Sequence, residues 1–74
     1  MNILEKITQN QAAFSKSEKK VAEVILANPQ TAIHSSIATL AKMSDVSEPT
    51  VNRFCRRLDT KGFPDFKLHL AQSL

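Results

Sequence analysis

Residues 37–58 read IATLAKMSDVSEPTVNRFCRRL, and this stretch decides the fold. Ile37, Ala38, Leu40, Ala41 and Met43 recur at helical spacing, after Ser35 or Ser36 as a cap. Ser44-Asp45 reads as a turn, because Asp is among the few residues that tolerate positive φ. Ser47 caps a second helix, with Glu48 in its first turn and Pro49 where proline is tolerated. Two helices joined by so short a turn cross steeply, and the crossing needs a small residue at the point of approach. Ala41 supplies it, and Leu40, Val46, Val51 and Phe54 fall where apolar plugs are needed. The pattern predicts a helix-turn-helix at 37–58, with Ser47–Leu58 as its second, reading helix.

That second helix has two chemically distinct sides. At 100° per residue, Val51, Phe54, Cys55 and Leu58 cluster on one of them. Pro49, Arg53 and Arg56 lie opposite, Asn52 and Arg57 flank them, and Thr50 sits at the edge. A solvated helix usually mixes Glu with Lys, but here Glu48 is the only acid before Asp59. Arg carries a planar fork that pairs with the major-groove edge of guanine, and Asn can pair with adenine. Hydroxyls and amides at a helix N-terminus hold phosphates. Base reading is therefore expected first from Arg53, Asn52 and Thr50 and then from Arg56. Phosphate contacts are expected from Ser47 and Arg57, although Ser47 also reads simply as a cap and Arg57 as a solvated side chain. The expected partner is double-stranded DNA, with a palindromic operator bound by a homodimer, because one short helix reads few base pairs. The rival reading is a helical protein-interaction module that presents the same arginines to an acidic partner.

Outward from this core, every segment reads as helix. Ile3, Leu4 and Ile7 mark one over about residues 2–11, the candidate for a homodimer contact. Ser15 and Glu18 form a capping box for the next, which carries Val21, Ala22, Val24, Ile25 and Leu26 and stops at Asn28-Pro29. Residues 29–34 read as a short helical turn. Asp59-Thr60-Lys61-Gly62 reads as the end of the reading helix. A last helix from about Asp65 carries Phe66, Leu68, Leu70 and Leu74 as apolar anchors. The expected fold is all-α, a bundle of five helices in one domain over residues 1–74.

Composition narrows the functional classes. The 74 residues carry a formal charge of +3, a mild bias toward anionic partners. Cys55 is the single cysteine and reads as a buried apolar residue, and His34 and His69 lack ligand spacing, so no metal and no cofactor is expected. No phosphate-cradling glycine loop and no His–carboxylate pair suggests an enzyme. No apolar run approaches a membrane span and no signal peptide is visible, so a cytoplasmic location is expected. Phe14, Phe54, Phe63 and Phe66 read as core rather than as stacking platforms, and Lys16, Lys19, Lys20, Lys61 and Lys67 as mainly solvated.

Three runs together resemble the N-terminal domain of RpiR-type bacterial transcription regulators. They are Ser15–Ala22 with Ile25, Leu26 and Pro29, then Ile37–Ala41 with Val46–Arg56, and finally Gly62–Lys67. The resemblance covers nearly the whole chain. It implies a cytoplasmic DNA-binding regulator, expected to be a repressor of carbohydrate-metabolism genes, in which Ser47, Thr50, Asn52, Arg53, Arg56 and Arg57 meet the DNA. It also implies a phosphosugar effector, bound by a C-terminal sugar-isomerase-like domain that these residues do not include. Asp45 and Asp59 stand where the family often has Gly.

Overall fold

The structure, a computed structural model, describes residues 2–74. Among them are six α-helices and one 3₁₀ turn, and no strand: α1 (Ile3–Gln9), the turn (Gln11–Ala13), α2 (Lys16–Ala27), α3 (Pro29–His34), α4 (Ile37–Ser44), α5 (Glu48–Arg57) and α6 (Phe63–Gln72). Five of the helices start the same way. Asn2, Ser15, Asn28, Ser36 and Ser47 each accept, through the side chain, the backbone N–H three residues on. Each satisfies a donor that a helix start would otherwise leave unpaired. At α2 the box is complete, since Glu18 in turn accepts the Ser15 N–H at 2.8 Å.

The helix beyond the expected five is α3. Pro29 stops α2 but also starts the next helix, at a position where its missing N–H costs nothing. Asn28 therefore serves as both the end of one helix and the cap of another, and Ala32 holds α3 in the core.

The core centres on Phe54, which lies 5.1 Å from Phe14 and 5.9 Å, edge to face, from Phe66. Around these rings pack Ile3, Ile7, Val21, Ala22, Ile25, Leu40, Val51, Cys55, Leu58, Phe63 and Leu70. The helix α2 lies against α3, α4 and α5, while α6 lies against α1, α3 and α5. All four phenylalanines are buried, as expected.

Three expectations need correcting. Ile3 and Ile7 are buried inside the chain's own core and offer no contact to a second copy, which leaves half-buried Leu4 of that stripe. The short α1 buries its apolar stripe against α6, and Ser73 Oγ accepts the Ile3 N–H at 3.0 Å to tie the two end helices together. Leu68 is exposed because the buried face of α6 consists of Phe63, Phe66 and Leu70, at i, i+3 and i+7, and Leu74 is exposed because α6 ends at Gln72, before it. Finally, α6 begins at Phe63 rather than Asp65. Gly62, at φ 154° and ψ −168°, precedes its first turn instead of ending α5. The left-handed residue that ends α5 is Asp59, at φ 67°.

Candidate nucleic-acid interface

The turn between α4 and α5 is Asp45, Val46 and Ser47. Asp45 sits in the left-handed region, at φ 56° and ψ 48°. Its N–H donates to Lys42 O at 3.1 Å, and the Val46 N–H donates to Ala41 O at 3.0 Å. This pair of bonds is a Schellman ending, and half-buried Val46 supplies its apolar contact. The end of α5 repeats the device. Asp59 is left-handed, its N–H donates to Arg56 O at 3.0 Å, and the Thr60 N–H donates to Cys55 O at 3.4 Å. Thr60 Oγ1, buried, adds a bond to Cys55 O at 2.6 Å. Both helices of the motif thus end alike, on the two aspartates noted in the sequence.

Helix α5 is pinned by Val51, Phe54, Cys55 and Leu58, none more than 1% exposed. Ala41 is buried beneath the crossing with α4, as its size requires. On the outer side, Pro49, Asn52, Arg53 and Arg56 line one shallow, open hollow. Arg53 and Arg56 are exposed, and among the described residues neither has an acidic partner within 4.0 Å. Asp59, the next acid along the chain, faces Lys6 at 3.1 Å.

The other expected site residues are placed differently. Ser47 accepts the Thr50 N–H at 3.3 Å, and the two hydroxyls lie 2.9 Å apart, so both already serve the start of α5. Asn52 Oδ1 accepts the Phe63 N–H at 3.1 Å, which caps the first turn of α6 from a neighbouring helix. Its NH₂ group has no hydrogen-bond partner among the described residues, and the residue is exposed. Arg57 points toward α2, where its Nε donates to Glu18 Oε2 at 2.6 Å. Lys67, expected to be mainly solvated, donates to Ser35 O at 3.0 Å and lies 5.2 Å from the centre of the Phe63 ring.

Glu18 is the residue that reading the sequence left incomplete. The capping box accounts for one carboxylate oxygen, but the side chain is wholly buried and its second oxygen holds Arg57. The signal was present, because Glu18, Val21, Ala22 and Ile25 fall at i, i+3, i+4 and i+7 and share the buried stripe. Burial alone would push this carboxyl's pKa up. The hydrogen bonds from Arg57 and Ser15 and the Arg57 charge outweigh burial and hold it below the ordinary value. Burial pushes the Cys55 thiol up to about 12.

No group of three or more His, Cys, Asp or Glu able to hold a metal occurs among the described residues. No helix among them is long and apolar enough to cross a membrane.

The family model described as "Helix-turn-helix domain, rpiR family" matches residues 1–74. The HTH-type transcriptional regulator HexR of Escherichia coli (strain K12) is 72% identical over 74 residues, covering 100% of this chain and 26% of that protein. The crystal structure of the N-terminal domain of ybbH from Bacillus subtilis superposes with a TM-score of 0.89 at 35% identity, over 93% of this chain and 84% of that one. The Vibrio vulnificus NanR protein, solved with ManNAc-6P, superposes with a TM-score of 0.95 at 38% identity, over 99% of this chain but 28% of that one. The chain therefore spans about a quarter of the length of the HexR relative.

Proposed function

The chain belongs to the rpiR family of helix-turn-helix domains, and from that membership and the surface of α5 we propose that it reads double-stranded DNA for a transcriptional regulator. The observation that carries this reading is the pair Arg53 and Arg56, exposed beside each other on a helix buried along its other side, with no acid within 4.0 Å among the described residues. Ordering two arginines without a protein partner leaves their forks free for guanine edges or phosphates. The proposed contact face is Ser47, Thr50, Asn52, Arg53 and Arg56, with Arg57, expected there from the sequence, at its edge and held by Glu18. Arg53 and Arg56 read bases, Thr50 and the NH₂ of Asn52 border them, and Ser47 and Arg57 stand at the two ends of the helix.

Residues 1–74 form the reading domain of a longer regulator, a repressor of hexose and central carbon metabolism acting in the cytoplasm. The similarity to HexR supports that assignment. In this reading the domain binds and carries out no reaction of its own. The operator is a palindrome read by two copies, since one reading helix covers too few base pairs for selectivity. With Ile3 and Ile7 buried and only Leu4 of that stripe half-exposed, the main contact between copies is assigned to the rest of the regulator. A phosphosugar effector also belongs there, as the complex of the longer NanR protein with ManNAc-6P suggests.

Selection from random duplexes tests this reading. The chain should enrich one half-site motif, and Arg53→Ala or Arg56→Ala should each lower discrimination at one position by about 1–3 kcal/mol while leaving the thermal transition in place. Equal binding to all sequences overturns specific recognition. A salt-sensitive interaction with acidic protein, and none with DNA, would favour the interaction-module reading.

A further inference from the structure

We propose that Arg57 is a positioning residue rather than a phosphate contact, and that buried Glu18 uses it to set the angle of the reading helix. This rests on the DNA reading above. Arg57 is the last residue of α5, and Glu18 stands in the first turn of α2, 39 residues away in sequence. One Glu18 oxygen is fixed by the Ser15 N–H at 2.8 Å and the other by Arg57 Nε at 2.6 Å. The carboxylate is wholly buried, so it cannot swing away to follow Arg57. The start of α2 and the end of α5 are thereby joined through one rigid side chain.

Two physical consequences separate this from a phosphate contact. Arg57 gives Glu18 only its Nε and its side chain is 44% exposed, but moving its guanidinium off to a phosphate would strand a buried carboxylate without its counter-charge, which costs more than an exposed ion pair returns. While it stays, the Glu18 charge cancels it, so Arg57 adds little to the counterions released on binding. Arg53 and Arg56 have no such neutralising partner among the described residues. The end of α5 farther from its N-terminal half, which enters the groove in such motifs, is where a small tilt is set.

The test is salt-dependent binding of the 74-residue chain to its selected duplex, with Arg53→Ala as the reference. Glu18→Gln and Arg57→Gln should each weaken binding by roughly tenfold, the effect of losing one charge-assisted hydrogen bond. The slope of log affinity against log salt should stay at the wild-type value, and the double variant should bind no more weakly than either single one. Arg57→Lys keeps the charge but loses the planar Nε donor, and it too should weaken binding. It serves in place of Glu18→Gln if that variant does not fold by circular dichroism. A phosphate contact predicts the opposite: Arg57→Gln lowers the slope by about 1, Arg57→Lys binds normally, and Glu18→Gln frees the guanidinium and strengthens binding. Any of these three results, with Arg53→Ala still impaired, overturns the positioning role alone. No preferred duplex, or no effect of Arg53→Ala, overturns the DNA reading and this inference together.

Discussion

Glu18 makes folding sensitive to acid in a defined direction. Its folded pKa lies below the ordinary glutamate value of about 4.3. A depressed pKa gives stability that is complete above the ordinary value and is lost as pH falls through the folded one. Urea unfolding of the wild type should therefore weaken from about pH 4 downward. Glu18→Gln, which has no carboxyl at this position, should be less stable at neutral pH and show a shallower decline below about pH 4. Equal slopes in that window would show that Glu18 is not held ionised by its partners. Cys55 gives a second single-residue prediction. A thiol pushed up to about 12 inside the core is almost wholly protonated at neutral pH. Ellman's reagent at pH 8 should react with it only after denaturation, and a prompt reaction in the native protein would contradict its burial. Roles at this scale were partly legible in the sequence. The apolar stripe placed Phe54 and Cys55, and turn chemistry placed Asp45. The second partners of Asn52 and Arg57 were not legible, because they lie 11 and 39 residues away and only the packing of α6 and α2 on α5 brings them close.

The helices are delimited by side chains that local rules do identify, so five of six starts follow from Asn or Ser three residues before a backbone donor. The sixth does not, because α6 starts from Gly62 and takes its cap from Asn52 on another helix. Gly62→Ala would force a side chain into φ 154° and set a Cβ 3.4 Å from Asn52 Oδ1, so it should destabilise the domain by more than about 1 kcal/mol. The matched endings of α4 and α5 allow a gain instead. A left-handed Asp costs up to about 1 kcal/mol relative to Gly. Against this, Asp45 contributes only an exposed pair with Lys20 at 3.7 Å, the sort worth little. Asp45→Gly should thus raise stability by about 0.5–1 kcal/mol in chemical denaturation. Asp59→Gly should gain less, since the shorter pair with Lys6 is lost. A loss of stability in Asp45→Gly would mean that the aspartate side chain supports the turn in its own right.

On the scale of the whole molecule, the charges are sorted by position. Asp59, Asp45 and Glu18 take up Lys6, Lys20 and Arg57, while Arg53 and Arg56 are left facing outward from α5. The chain measures 27 × 27 × 23 Å. Half-sites of dimeric helix-turn-helix proteins lie about 34 Å apart, one turn of the duplex. Two copies of this width, seated one turn apart, meet through side chains at most. The sequence expectation that α1 joins them loses Ile3 and Ile7 to the chain's own core and keeps only half-buried Leu4, since an amphipathic stripe does not reveal whether its own core or a second copy covers it. The 74-residue chain should consequently fill two half-sites independently. Titrations of duplexes carrying them one turn apart, and then with about five extra base pairs to turn one half-site to the opposite face, should give equal affinities and no cooperativity. A marked loss on inserting the half-turn would place a contact between copies within these residues, and α1 and the exposed Leu68 of α6 would be the first surfaces to alter.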